Sequence, residues 1–107
     1  LVSNGNFAII SGADPIGAAG GPSDIEINNC SFGVCTVSEC IGMNNCTNVS
    51  INNNISSSCT TTYGVSVGGA SMNKYSIIGN MFNCSTSAVN DFTSGTPTKQ
   101  IANNLKT

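Results

Sequence analysis

An asparagine recurs along this chain at a near-constant interval, and the interval narrows the folds open to it. The segments Ile25-Glu26-Ile27-Asn28-Asn29-Cys30, Val49-Ser50-Ile51-Asn52-Asn53-Asn54, Tyr75-Ser76-Ile77-Ile78-Gly79-Asn80 and Lys99-Gln100-Ile101-Ala102-Asn103-Asn104 align without gaps. Leu1 to Asn6 fits the same frame, with Ser3 in an apolar slot. The last column reads Asn6, Cys30, Asn54, Asn80, Asn104, with steps of about 24, 24, 26 and 24 residues, which is the scale of one solenoid coil. Two further columns follow this frame: Ile27, Ile51, Ile77, Ile101, and Leu1, Ile25, Val49, Tyr75.

Apolar residues two apart mark a strand with one buried face. Ile25 and Ile27, then Val49 and Ile51, do this, while Glu26 and Ser50 point outward. A second strand appears in each coil at Ile41-Gly42-Met43 and Val65-Ser66-Val67, again about 24 residues apart. In the next coil the frame is open: Val89 keeps the spacing from Val65, whereas Asp91 keeps it after the two-residue insertion between Asn54 and Asn80. The pattern predicts an all-β chain, a right-handed parallel β-helix of four to five coils of about 24 residues, with residues 1–107 as one segment of a longer protein. A helical fold is disfavoured by the abundance of Gly, Asn, Ser and Thr and by the lack of a 3.6-residue stripe. With two leucines, Leu1 and Leu105, the chain is no leucine-rich repeat.

Stacked coils lie about 4.8 Å apart, so equivalent side chains touch. A buried Asn can then donate to one neighbouring coil and accept from the other. Asn also tolerates the left-handed backbone that a tight bend requires. The column Asn6, Cys30, Asn54, Asn80, Asn104 is therefore read as a structural ladder. Cys35, Cys59 and Cys84, about 24 and 25 residues apart, are expected to stack likewise and to pack as small buried hydrophobes. Coil neighbours are near enough for a disulfide, although three in a column cannot all pair. With no CxxC pair and no His, no metal site is expected.

Composition closes off several functions. Only 7% of residues are charged, against about 25% in ordinary domains, yet 39% are hydrophobic, which argues against disorder. The net charge of −2, with Lys74, Lys99 and Lys106 as the only cations, leaves no footprint for nucleic acid. No apolar run is long enough to insert in a membrane as a helix. A Ser–His–Asp set is impossible without His, and the glycine runs at Gly17–Gly21 and Gly68–Gly69 are not followed by a phosphate-loop lysine. No cofactor is expected.

At Ile78-Gly79-Asn80-Met81-Phe82 the sequence resembles the GNxF turn of pectate-lyase-like right-handed β-helices, and Asn54-Ile55 and Asn104-Leu105 are weaker versions. Within that superfamily, the low charge and the Asn, Ser, Thr and Gly richness look most like bacteriophage tailspikes and tail fibres. That resemblance implies a homotrimer in a virion tail, or an extracellular location, that attaches to host surface polysaccharide. Cleavage of polysaccharide needs two carboxylates. Asp24 and Glu26 are the candidate catalytic pair, on one outward face with Cβ atoms about 6 to 7 Å apart. Tyr63, Asn90 and Phe92 are the candidate glycan contacts, because aromatic faces and amides suit sugars. Tyr75 is a weaker candidate, since its column points inward. The alternatives are a polysaccharide depolymerase, as hydrolase or lyase, and a secreted or surface adhesin. Sequons at Asn29, Asn45, Asn48, Asn54 and Asn83 carry no assignment; Asn54 belongs to the inward ladder.

Overall fold

In a computed structural model, which describes residues 16–19, 23–33, 35, 38–57 and 59–107, the chain is a parallel β-helix of about three turns. Three strands make each rung. The first rung is β1 (Ile16–Ala19), β2 (Ser23–Asn28) and β3 (Ser31–Phe32). The second is β4 (Glu39–Asn44), β5 (Thr47–Asn52) and β6 (Ile55–Ser56). The third is β7 (Thr61–Gly69), β8 (Asn73–Ile78) and β9 (Met81–Phe82), and the fourth is β10 (Cys84–Thr93), β11 (Lys99–Ala102) and β12 (Leu105–Lys106). They stack into three parallel sheets: β1-β4-β7-β10, β2-β5-β8-β11 and β3-β6-β9-β12, here called sheets 1, 2 and 3. The expected fold class holds, and the described residues make about three turns where four to five coils were expected of the whole chain. The coil that would contain Leu1 and Asn6 lies outside the described residues.

Sheet 2 carries the sequence columns in the register expected of them. Ile25, Val49, Tyr75 and Lys99 are mutual partners, as are Ile27, Ile51, Ile77 and Ile101. Ile27, Ile51 and Ile77 are fully buried. β-Branched side chains suit this pleated, half-buried surface. Against them pack Ile41, Met43, Val65 and Val67 of sheet 1, and Phe32 and Phe82 of sheet 3. The two rings meet at 6.1 Å between centroids, an ordinary tilted aromatic pair. Phe82 lies against Gly64, where a Cβ would come within 2.3 Å of the ring; the missing side chain is what lets the ring sit there.

The asparagine ladder works at the bend between sheets 2 and 3. Asn54 and Asn80 are buried, at 0% and 1% exposure. Asn54 Oδ1 accepts from the backbone N–H of Cys30 at 2.9 Å, Asn80 Oδ1 from that of Asn54 at 2.9 Å, and Asn104 Oδ1 from that of Asn80 at 3.1 Å. Each Nδ2 reaches a carbonyl one coil back: Asn54 to Ile27 O, Asn80 to Ile51 O and Asn104 to Ile77 O, at 2.8 to 2.9 Å. Neighbouring amides are also joined, Asn54 Nδ2 to Asn80 Oδ1 and Asn80 Nδ2 to Asn104 Oδ1. At this bend the backbone N–H faces the next coil with a side-chain oxygen, not a carbonyl, as its acceptor. An unpaired buried N–H is costly, so the side chain replaces the missing acceptor.

The conformational reason expected for this column belongs to its neighbour. The left-handed residues are Asn29, Asn53, Gly79 and Asn103, with φ from 56° to 69°, each one position before the ladder. Asn and Gly are the residues that adopt this backbone most readily. Cys30 takes a ladder position with its thiol turned to Asn28 O at 3.4 Å.

The two-residue insertion lies at the corner between sheets 1 and 2. Asn44 pairs with Gly68, and Thr47 with Asn73, so the turn Gly69-Ala70-Ser71-Met72 absorbs it. The next corner removes it again: Ile55 pairs with Met81, but Tyr63 pairs with Ser87. Val89 is therefore the partner of Val65, which settles the frame left open by the sequence. A bulge between Cys84 and Ser87 accompanies this adjustment. The same shift breaks the expected cysteine column. Cys84 pairs with Thr61, and its thiol turns to Ser87 O at 3.2 Å. All six cysteines are buried free thiols.

Replacing Asn80 with Ala removes the acceptor of the Asn54 N–H and the donor to Ile51 O inside the wall. At about 1–3 kcal/mol for each orphaned group, Asn80→Ala is expected to lose about 3 kcal/mol or more, read as a fall in the urea midpoint. A loss below about 1 kcal/mol would show that the ladder is incidental.

Candidate functional site

A groove of about 830 Å3 runs over the outside of sheet 2 and crosses all four rungs, a span on the order of 14 Å. Two side-chain columns line most of it. One is the outward column Glu26, Ser50, Ser76 and Gln100, held in line by the strand registers. The other is Asp24, Asn48, Lys74 and Thr98 at the strand entries. Val49, Tyr75 and Lys99 complete the lining.

Asp24, Asn48 and Lys74 all have left-handed backbone, with φ of 59°, 58° and 52°. The extended geometry assumed for Asp24 is thus corrected: it is the second residue of β2 and takes a left-handed backbone there. It nevertheless shares the groove with Glu26. The Asn48 amide and the Ser23 hydroxyl both donate to the Asp24 carboxylate, and these bonds hold its pKa below the usual carboxylate range. Asp24 is suited to act as a base or an acceptor, not as a proton donor. Lys74 stands two rungs from Asp24 in the same column, which gives the groove wall both signs of charge.

A second asparagine ladder, which the sequence reading missed, stiffens the groove. Asn28 Oδ1 accepts from Asn52 N–H at 2.9 Å and Ser50 Oγ at 3.1 Å. Asn52 Oδ1 accepts from Ile78 N–H and Ser76 Oγ, both at 3.0 Å. The hydroxyls of Ser50 and Ser76 are thus oriented by fixed amides, and Ser50 Oγ also accepts from Asn52 Nδ2 at 2.7 Å. The spacing of Asn28 and Asn52 was the available signal.

The expected glycan contacts are not brought together with the carboxylates. Tyr63, Asn90 and Phe92 lie on sheet 1. Tyr63 and Asn90 are half-buried, and Phe92 is exposed over Gly68, where a Cβ would clash with its ring. Tyr75 is buried at 2% exposure and has no free face for a sugar. Its phenol instead donates to Asp91 Oδ2 at 3.1 Å and lies 3.1 Å from Thr93 Oγ1.

Asp91 occupies an inward slot, in register with Val67 and Met43. Lys99 Nζ reaches it at 2.6 Å, and Thr93 donates from both backbone and hydroxyl. Burial acts to raise the Asp91 carboxyl, but the bonds from Lys99, Thr93 and Tyr75 outweigh it and hold its pKa at about 2. Asp91 in turn raises the Lys99 ammonium. A charged group in an inward column is stable here because every oxygen has a partner.

The chain matches no family model, no curated protein and no solved structure. Among the described residues no helix is long and apolar enough to cross a membrane.

Because the Asp91 pKa is depressed in the fold, its contribution is present above the unfolded value near 3.8. It fades as pH falls from there through about 2. With part of the pair in solvent, the contribution is on the order of 1–2 kcal/mol. Asp91→Asn is expected to lower stability at pH 7 and to flatten the loss between pH 4 and 2, measured by urea unfolding across pH. An unchanged acid slope would remove Asp91 from this role.

Proposed function

We propose that this segment is a glycan-binding surface of a host-attachment fibre, with the groove over sheet 2 as the contact for surface polysaccharide. The observation that carries the reading is the rung-crossing groove, whose lining offers hydroxyls, amides and carboxylates in regular rows. Sugar hydroxyls both donate and accept, so a row of Asn48, Ser50, Ser76 and Gln100 suits them. Asp24 and Glu26 add acceptors, and Lys74 a donor. The groove lacks an exposed aromatic face, which fits weak contacts repeated along a long chain. The resemblance of the Gly79-Asn80-Met81-Phe82 turn to pectate-lyase-like β-helices, together with the tailspike-like low charge and Asn, Ser, Thr and Gly richness, supports the same reading.

The depolymerase reading is kept because Asp24 and Glu26 line one groove. Asp24 would serve as base or nucleophile and Glu26 as acid. Incubation of the chain with capsular or O-antigen polysaccharide separates the two. Binding without reducing-end release is the expected outcome, with affinity reduced at least tenfold by Ser76→Arg, which fills the centre of the groove. Release of reducing ends that Asp24→Asn abolishes would establish the enzyme instead. No binding to any such polysaccharide would overturn both.

The proposed homotrimer draws support from sheet 3. Its outward column Ile55, Met81 and Leu105 is exposed, at 49%, 45% and 54%, a contiguous apolar stripe of the kind that marks an interaction surface. Light scattering is expected to give a trimer mass that Met81→Lys reduces to the monomer. A monomeric native chain would contradict the assembly.

A further inference from the structure

The sequence frame puts Cys35, Cys59 and Cys84 in one column, and the lack of a CxxC pair or a His left no metal expected there. The structure supplies a different third sulfur. Cys35, Cys40 and Cys59 have Sγ atoms that all lie within 4.8 Å of one another. The Cys40 and Cys59 sulfurs are 3.4 Å apart. All three residues are buried, at 2%, 0% and 4% exposure. They converge where the chain turns from sheet 3 to sheet 1, Cys35 and Cys40 from one coil and Cys59 from the next. Cys84 is excluded by the register shift that pairs it with Thr61.

Three thiolates around one ion at a metal–sulfur distance of about 2.3 Å stand about 4.0 Å apart in a trigonal plane. The Cys40–Cys59 separation of 3.4 Å lies a little below that value, and all three sulfurs fall within 4.8 Å of one another. A disulfide would join only two of the sulfurs and would need them at about 2.0 Å. Thiolate ligands select soft ions. A structural zinc site takes four ligands, but the chain has no His, and among the described residues no carboxylate joins the cluster. A three-coordinate soft ion suits this set better.

We propose that Cys35, Cys40 and Cys59 form a buried trigonal site for a soft monovalent metal ion, copper(I). Each ligating sulfur releases its proton to bulk solvent as copper takes its place, and no electron is transferred. Without the ion, burial raises the Cys35 and Cys40 thiols, which favours their neutral form. Copper(I) offsets one of the three thiolate charges, and metal–sulfur bonding favours the ionised sulfur over the neutral thiol. The Thr61 hydroxyl, 3.8 Å from Cys40 Sγ, is placed to donate to a ligating sulfur. The bound ion would clip two coils together at this corner, and it stabilises the fold by mass action.

The test is an anaerobic titration of the reduced chain with copper(I) against a competing copper(I) chelator, following near-ultraviolet thiolate-to-copper absorption. One equivalent per chain is expected, together with a higher melting temperature. Cys59→Ala is expected to lose more than about 100-fold in affinity, beyond the roughly 10–100-fold that loss of a supporting residue gives. Cys30→Ala and Cys84→Ala are expected to bind as the native chain does. The wild-type stoichiometry decides the matter even where a variant fails to fold. The proposal is overturned by the absence of one-to-one saturation, by equal loss in Cys84→Ala, or by undiminished binding in Cys59→Ala. Zinc(II) displacing copper(I) one for one would overturn the choice of ion. A Cys40–Cys59 disulfide that reductant does not open would remove the site.

Discussion

The structure depends on a backbone N–H at one bend. Where sheet 2 gives way to sheet 3, the chain must turn inside a wall whose neighbours lie a single strand spacing away. The N–H of Cys30, Asn54 and Asn80 points along the stack at that bend and takes its bond from an asparagine oxygen of the next coil. The same side chain returns a hydrogen to the isoleucine carbonyl before the bend. One residue type therefore satisfies donor and acceptor together in a place where water is excluded. A hydroxyl is shorter, and a carboxylate would lose the donor and bury a charge.

That constraint separates the conserved geometry of the inside from the freedom of the outside. Length changes are taken up away from the ladder, at the Gly69–Met72 turn and at the shortened passage from β9 into β10. The outward column Glu26, Ser50, Ser76 and Gln100 only has to remain in strand conformation, so its chemistry is open. Inward positions are less free, and Asp91 shows the condition for an exception. It enters an apolar column only with Lys99, Thr93 and Tyr75 around it.

Much of this was legible in the sequence, because stacking turns a spatial repeat into a chain interval. Ile27, Ile51 and Ile77 were readable as core, and Asn54 and Asn80 as buried polar rungs. What the interval could not show was anything that crosses columns. The left-handed position is Asn53 rather than Asn54, because a tight bend distorts one residue and satisfies the next. Cys40 joins Cys59 although they are not a coil apart in sequence, since they meet around a corner. Asp24 and Glu26 were placed on one outward face by alternation, and they do share a groove, although Asp24 is not extended. Tyr75 was read as inward, but its phenol partner, Asp91, lies on another sheet.

Side-chain amides close the backbone at the bend, and hydrogen exchange resolved by residue tests this most directly in the native chain. The backbone amides of Asn54 and Asn80, with their own side-chain carboxamides, are expected to be protected as strongly as the amides of Ile51 and Ile77 in the adjoining strands. Exchange of those bend amides at the rate of an exposed turn, with protection confined to the strands, would contradict it.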